Sequence, residues 1–194
     1  MRRIVAVLAR AGMAKAAPGE VDPDEFLRAM AEDVYEVAAG LELVTPVLVT
    51  SVPELEEIVW PGTQVIAVAE DVALRDVFAA LDGDQAAVVA ADAPDLPPLL
   101  IGKLFRELGR APLAVCPSEN GGAAAMAATL PLPGWAHPGL DEPDPLQALR
   151  AQAPGRRMVA AGPGWHRLRS PEDVRFLDPG LEGWDNTRAL LRQP

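Results

Sequence analysis

The 194-residue chain has a formal net charge of −11 and is 49% hydrophobic but only 5% aromatic, so its core is expected to be built from Ala, Val and Leu under an acidic surface. Such a surface argues against gripping a nucleic-acid backbone, which needs clustered Lys and Arg, although one local pocket can still be positive. The single cysteine, Cys116, excludes an intramolecular disulfide and a thiolate zinc cluster.

The opening MRRIVAVLARAG has the flavour of a leader, but its apolar part is short and Arg10 interrupts it. A first buried strand over residues 3–9 is the expectation. No run approaches the length needed to cross a bilayer, so a cytoplasmic protein that does not meet a membrane is expected. Asp22, Pro23 and Asp24 precede a segment in which Phe26, Leu27, Met30, Val34, Val37 and Leu41 recur at helical spacing, and Gly40 stands near its expected end. Residues 44–51 predict a second strand, with Pro46 marking an edge or a late start, and 53–59 a short helix. A third strand is expected at 64–69 and a helix at 74–81.

The fourth strand, at 86–91, is an unbroken apolar run of the kind found in buried parallel sheets. Residues 97–108 follow as a helix with proline in its first turn. A fifth strand at 113–116 leads into the loop PSENGG and a small apolar segment at 123–130. Proline and glycine dominate 131–145; 146–152 predicts a helical scrap and 158–161 a last short strand. The stretch from Gly162 onward follows no assignable pattern. Strands alternating with helices and the absence of an internal repeat predict one α/β domain over 1–194, a mostly parallel sheet sandwiched by helices, with a loop-rich tail over about 131–194.

Asp92 ends the fourth apolar run, where open α/β sheets bind ligands. A carboxylate there can hold a divalent metal against substrate phosphates, or it can be a turn aspartate bonded to its own backbone. Asp95 reads as a helix N-cap. Lys15, between Gly12 and Gly19, can neutralise phosphate charge or lie in solvent. Asn120, Gly121 and Gly122 can present backbone N–H groups to a base or sugar, or form a plain turn; Ser118 beside them can donate to a ligand. His137 and His166 have no partner pattern for a triad or metal site. Arg156-Arg157 and Arg167-Arg169 are the dense basic spots, suited to an anion or to nearby acids. Trp135, Trp165 and Trp184 suit a pocket, an oligomer interface or packing of the tail; with an edge strand they make a homodimer an expectation.

Four places carry a family likeness. Ala14-Lys15 and the following DPDEFLRAMAEDV, ADAPDLP at 91–97, CPSENGG at 116–122 and SPEDV at 170–174 together resemble the GT-A-type nucleotidyltransferases. The chain is most similar among these to 2-phospho-L-lactate and molybdenum-cofactor guanylyltransferases, with GT-A glycosyltransferases a further resemblance. The likeness implies transfer of a nucleotidyl group, guanylyl favoured (GTP as donor), from a nucleoside triphosphate to a small phosphorylated acceptor, releasing pyrophosphate. It implies Mg²⁺ on Asp92, catalytic roles for Asp92 and Lys15, and nucleotide contacts at Ser118, Asn120, Gly121 and Gly122. The cleft is expected over the carboxyl ends of strands one, four and five.

The chain departs from that pattern. AAPG follows Lys15 where an arginine and leucine belong, Gly122-Ala123-Ala124 replaces a G-T-N triplet, and Arg167-Leu168-Arg169 stands where a late acidic pair would complete metal binding. Glu70-Asp71-Val72 replaces a glycine-leucine-asparagine segment. Two other expectations therefore stand beside the first: an inactive homologue (a pseudoenzyme) that binds nucleotide or a protein partner, and a glycosyltransferase using a nucleotide sugar.

Overall fold

The apolar runs become the strands of one sheet in the computed structural model, which describes residues 1–192. They are β1 (Arg3–Ala9), β2 (Val44–Thr50), β3 (Gln64–Ala67), β4 (Gln85–Ala90), β5 (Leu113–Pro117), β6 (Ala123–Thr129) and β7 (Val159–Ala161). Their spatial order is β3-β2-β1-β4-β6-β5-β7. Neighbours run parallel except at β6, which is antiparallel to both β4 and β5. The small apolar segment is thus a central strand, AAAMAAT, buried over all but its last residue. Alanine has little β-propensity of its own; burial between two neighbours overrides it.

The helices are α1 (Pro23–Gly40), α2 (Leu74–Ala79), α3 (Pro98–Glu107), α4 (Pro145–Gln152) and α5 (Asp185–Leu191). Asp22 caps α1, its Oδ1 accepting from the N–H groups of Asp24 at 2.9 Å and Glu25 at 3.0 Å. Such a cap is worth about 1 kcal/mol. Phe26, Leu27, Met30, Val34 and Tyr35 form the buried stripe of α1, and β4 is buried along its whole length. The predicted segments 53–59 and 97–108 are realised as a 3-10 turn at Pro53–Ile58 and as α3. Asp95 does not cap α3, whose N-cap is Pro97 with no side-chain hydrogen bond.

The tail carries more structure than its composition suggested. From β7 the chain continues along the edge of β5: Gly162 N–H donates to the Val115 carbonyl at 2.7 Å, Trp165 N–H to that of Pro117 at 2.9 Å, and Glu119 N–H to that of Trp165 at 2.8 Å. This delivers residues 165–169 to the carboxyl edge of the sheet. A 3-10 turn at Pro171–Phe176 follows. Helix α5 then packs on α1, where buried Asp33 accepts from Asn186 N–H at 3.0 Å and Thr187 N–H at 2.8 Å. No helix among the described residues is long and apolar enough to cross a membrane.

Candidate functional site

Four polar side chains leave the sheet just past the carboxyl ends of its parallel strands: Arg10 after β1, Ser51 after β2, Glu70 after β3 and Asp92 after β4. Ligands of open α/β sheets collect at this edge. A cavity of about 300 Å³ lies here, lined by Arg10, Gly12, Met13, Lys15, Glu70, Asp92, Asp141, Arg167 and Arg169. A second cavity, of about 310 Å³, shares Arg10 and Asp141 with the first and runs between Leu8, Val72, Leu74 and the 138–143 loop.

Two of the residues lining the first cavity form a buried ion pair. Arg167 Nε donates to Asp92 Oδ1 at 2.7 Å and Arg167 Nη2 to Asp92 Oδ2 at 2.9 Å, a two-pronged contact in which both partners are almost wholly buried. Arg167 Nη1 donates to the Leu140 carbonyl at 3.1 Å and to Asp141 Oδ1 at 2.8 Å. Burial by itself works against the charged guanidinium, but Asp92 and then Asp141 hold its pKa above the ordinary arginine value. Asp141 is also paired to Arg10. Burial pulls the Asp141 carboxyl up; Arg167 and Arg10 outweigh it and leave the pKa below the usual aspartate value.

The loop after β5 clamps the tail that carries Arg167. Asn120 Oδ1 accepts from Arg167 N–H at 3.3 Å, while its Nδ2 donates to the Arg167 carbonyl at 2.7 Å and to Asp173 Oδ2 at 3.1 Å. Ser118 hydroxyl bonds Asn120. Leu168 N–H closes the contact on the Asp92 carbonyl at 2.6 Å. Gly121 and Gly122 have φ of 89° and 80°, and a Cβ on Gly122 would come 2.5 Å from the Leu140 carbonyl and 3.1 Å from Arg167 Nη1. Glycine is required there by the left-handed backbone and the close approach.

Elsewhere in the lining, Glu70 accepts from Ala11 N–H at 2.9 Å, Gly12 N–H at 2.8 Å and the Ser51 hydroxyl. Burial would raise its carboxyl, but these bonds, Ser51 first, and the charge of Arg10 leave the pKa below the usual glutamate value. Lys15 sits nearby on the 3-10 turn Ala11–Ala16, exposed and without an ion-pair partner among the described residues.

Of the residues expected from sequence, Asp92 and Lys15 line the same cavity. Ser118, Asn120, Gly121 and Gly122 stand behind Arg167 and Arg169, so the cleft lies over β1 and β4 and the β5 loop serves as its backing. Asp95 is a tail anchor: its carboxylate takes His166 Nε2 at 2.8 and 3.0 Å, Trp165 Nε1 at 3.2 Å and Asp178 N–H at 3.2 Å. Arg10, Glu70 and Asp141 were missed as site residues. For Arg10 and Glu70 the available signal was position just beyond a strand's carboxyl end; Asp141, in a proline-rich loop, offered none.

The residues present do not fit the Mg²⁺ expected on Asp92. Both its carboxylate oxygens accept from a guanidinium, Asp141 is shared between Arg167 and Arg10, and among the described residues no group of three or more His, Cys, Asp or Glu side chains is placed to hold a metal ion.

No protein-family model matches the chain, and no curated protein is significantly similar in sequence. Solved structures do share its fold. A provisionally assigned nucleotide-diphospho-sugar transferase from Desulfovibrio desulfuricans G20 superposes with a TM-score of 0.69 at 17% identity, over 99% of this chain and 95% of that one. Rv0371c from Mycobacterium tuberculosis H37Rv, in complex with manganese, gives 0.57 at 18% identity over 100% and 99%. CMP:2-keto-3-deoxy-manno-octonic acid synthetase complexed with CTP gives 0.56 at 14% over 90% and 96%. The chain therefore has the fold of the nucleotide-diphospho-sugar transferase-like proteins.

Proposed function

We propose that the cleft over β1 and β4 binds the phosphates of a nucleoside triphosphate and that the chain transfers the nucleotidyl group to a small phosphorylated acceptor. The observation that carries this reading is a cavity in which Arg10, Lys15, Arg167 and Arg169 outnumber Glu70, Asp92 and Asp141, in a chain whose net charge is −11. Cations concentrated at the ligand edge of the sheet, against the overall charge, suit a polyphosphate. The adjoining cavity beyond Arg10 and Asp141 gives a second ligand room next to the first. The sequence resemblance favours guanylyl as the group transferred.

In the reaction, a phosphate oxygen of the acceptor attacks the α-phosphorus. The new P–O bond forms as the bond to the bridging oxygen of the β-phosphate breaks, and the electron pair leaves with pyrophosphate. The protein's share is alignment and neutralisation of charge, chiefly by Lys15 and Arg169, since Arg10 and Arg167 are already paired with Asp141 and Asp92.

A second reading is favoured by one contact, the closure of Arg167 over Asp92: a protein that binds nucleotide without turning it over. Calorimetry with GTP, ATP, CTP and UTP, followed by a pyrophosphate-release assay with a panel of phosphorylated acceptors, separates the two. Binding with release supports transfer, and binding alone supports the second reading. No binding of any of the four overturns both.

A further inference from the structure

We propose that Arg167 is the resident cation of this cleft, standing on Asp92 where a divalent ion would stand, so that phosphates are taken free of metal on Lys15 and Arg169. This rests on the nucleotide reading above and goes beyond it by stating how the ligand's charge is met.

The geometry makes the substitution specific. A planar guanidinium matches a carboxylate two-to-two, and Arg167 has done so on Asp92 at 2.7 and 2.9 Å. Of its five N–H groups, four are used on Asp92, the Leu140 carbonyl and Asp141. Withdrawal of the side chain to admit a metal would strip donors from two buried oxygens and place a second cation beside a guanidinium. The backbone is fixed as well. Asn120 holds the N–H and carbonyl of Arg167, and Leu168 N–H holds the Asp92 carbonyl.

Ligand contacts then fall to the cations with free reach. Arg169 is about one-third exposed, and among the described residues its guanidinium has one ion-pair partner, Asp141 at 3.9 Å; Lys15, exposed, lines the same cavity. The three acids lining the cavity already accept from guanidinium or backbone N–H donors. A metal-free triphosphate is more anionic than its Mg²⁺ complex, so magnesium should compete for the ligand instead of bridging it to the protein.

Two measurements on the intact chain test this. The first titrates Mn²⁺ alone into the protein and follows the free ion by electron paramagnetic resonance. The expected result is no binding up to millimolar Mn²⁺; binding that disappears in Asp92→Asn would overturn the proposal. The second is calorimetry with GTP and with inorganic tripolyphosphate, in EDTA and in excess Mg²⁺. Binding at least as tight in EDTA is expected, with Lys15→Gln and Arg169→Gln each weakening it about tenfold. Binding that requires Mg²⁺, or that ignores both substitutions, overturns it. If neither phosphate ligand binds in either buffer, the nucleotide reading fails, while the Mn²⁺ titration still decides whether Arg167 has displaced a metal from Asp92.

Discussion

Replacing Arg167 by Gln should cost this protein more stability than any other single charge removal at its surface or cleft. The side chain is 2% exposed and Asp92 is 3% exposed, so the substitution leaves a carboxylate buried with no cation. Breaking a buried pair from one side costs about 3–5 kcal/mol. Asp141, at 46% exposed, can turn to water, and its share is that of a surface pair, about 0–1 kcal/mol. The sum is about 4 kcal/mol, which for a urea dependence of about 2 kcal/mol per molar moves the unfolding midpoint down by about 2 M. Urea melts of the wild type, Arg167→Gln, Asp92→Asn and the double variant complete the cycle. The double should lose about 2–3 kcal/mol less than the sum of the singles, since neither charge is left alone. A single-variant loss below about 1 kcal/mol, or additivity within about 0.5 kcal/mol, would refute the claim that this pair fastens the tail to the sheet.

Gly122→Ala should destabilise by about 1–3 kcal/mol, because φ is +80° and the new Cβ meets the Leu140 carbonyl at 2.5 Å. Gly102→Ala, inside α3 with open space around it, should instead stabilise by about 0.5–1 kcal/mol; paired thermal melts check both signs. Glu70 and Asp141 have folded pKa values below their ordinary 4.5 and 3.8. Their contribution to stability is therefore full above those values and is lost as pH falls through the lower folded ones. The stability gap between wild type and Glu70→Gln should accordingly close on acidification below pH 4.5 and stay constant from there to neutrality, as acid titrations of both proteins in urea would show; a gap that widens with acid refutes the assignment. Cys116 is buried with its thiol pushed up to about 12, so iodoacetamide at pH 8 should label it only after unfolding, which mass spectrometry reads directly.

Legibility along this chain followed the kind of force that fixes each part. Strands β1 and β4 are continuous apolar runs, and α1 repeats Phe26, Leu27, Met30 and Val34 on one face; such patterns exist because burial is set residue by residue, so the sequence displays them. Strand β6 has the right burial but the wrong composition, since alanines carry no strand signal until neighbours enclose them on both sides. The stretch 162–178 lacks periodicity because it is held by individual hydrogen bonds to Val115, Pro117, Asp92, Asp95 and Asn120, and bonds between distant residues leave no local pattern.

The same distinction governs the cleft. Asp92 was legible as a strand-end carboxylate, and Arg167 as a basic spot standing where an acidic pair was expected, but the pairing of one with the other needs the tail's path along β5. That path changes what the aspartate can do. A strand-end carboxylate facing solvent can take a metal; the same carboxylate gripped by a guanidinium, with its own carbonyl bonded to Leu168, becomes the post to which the last part of the chain is tied. Function and fold thus compete for one side chain, and the stability cycle on Asp92 and Arg167 together with Mn²⁺ titration of the same variants measures the competition. If Arg167→Gln gains a Mn²⁺ site while losing stability, the arginine has exchanged metal binding for attachment of the tail. If it loses stability and gains no site, Asp92 serves only the fold, and the phosphate chemistry of the cleft belongs to Lys15 and Arg169.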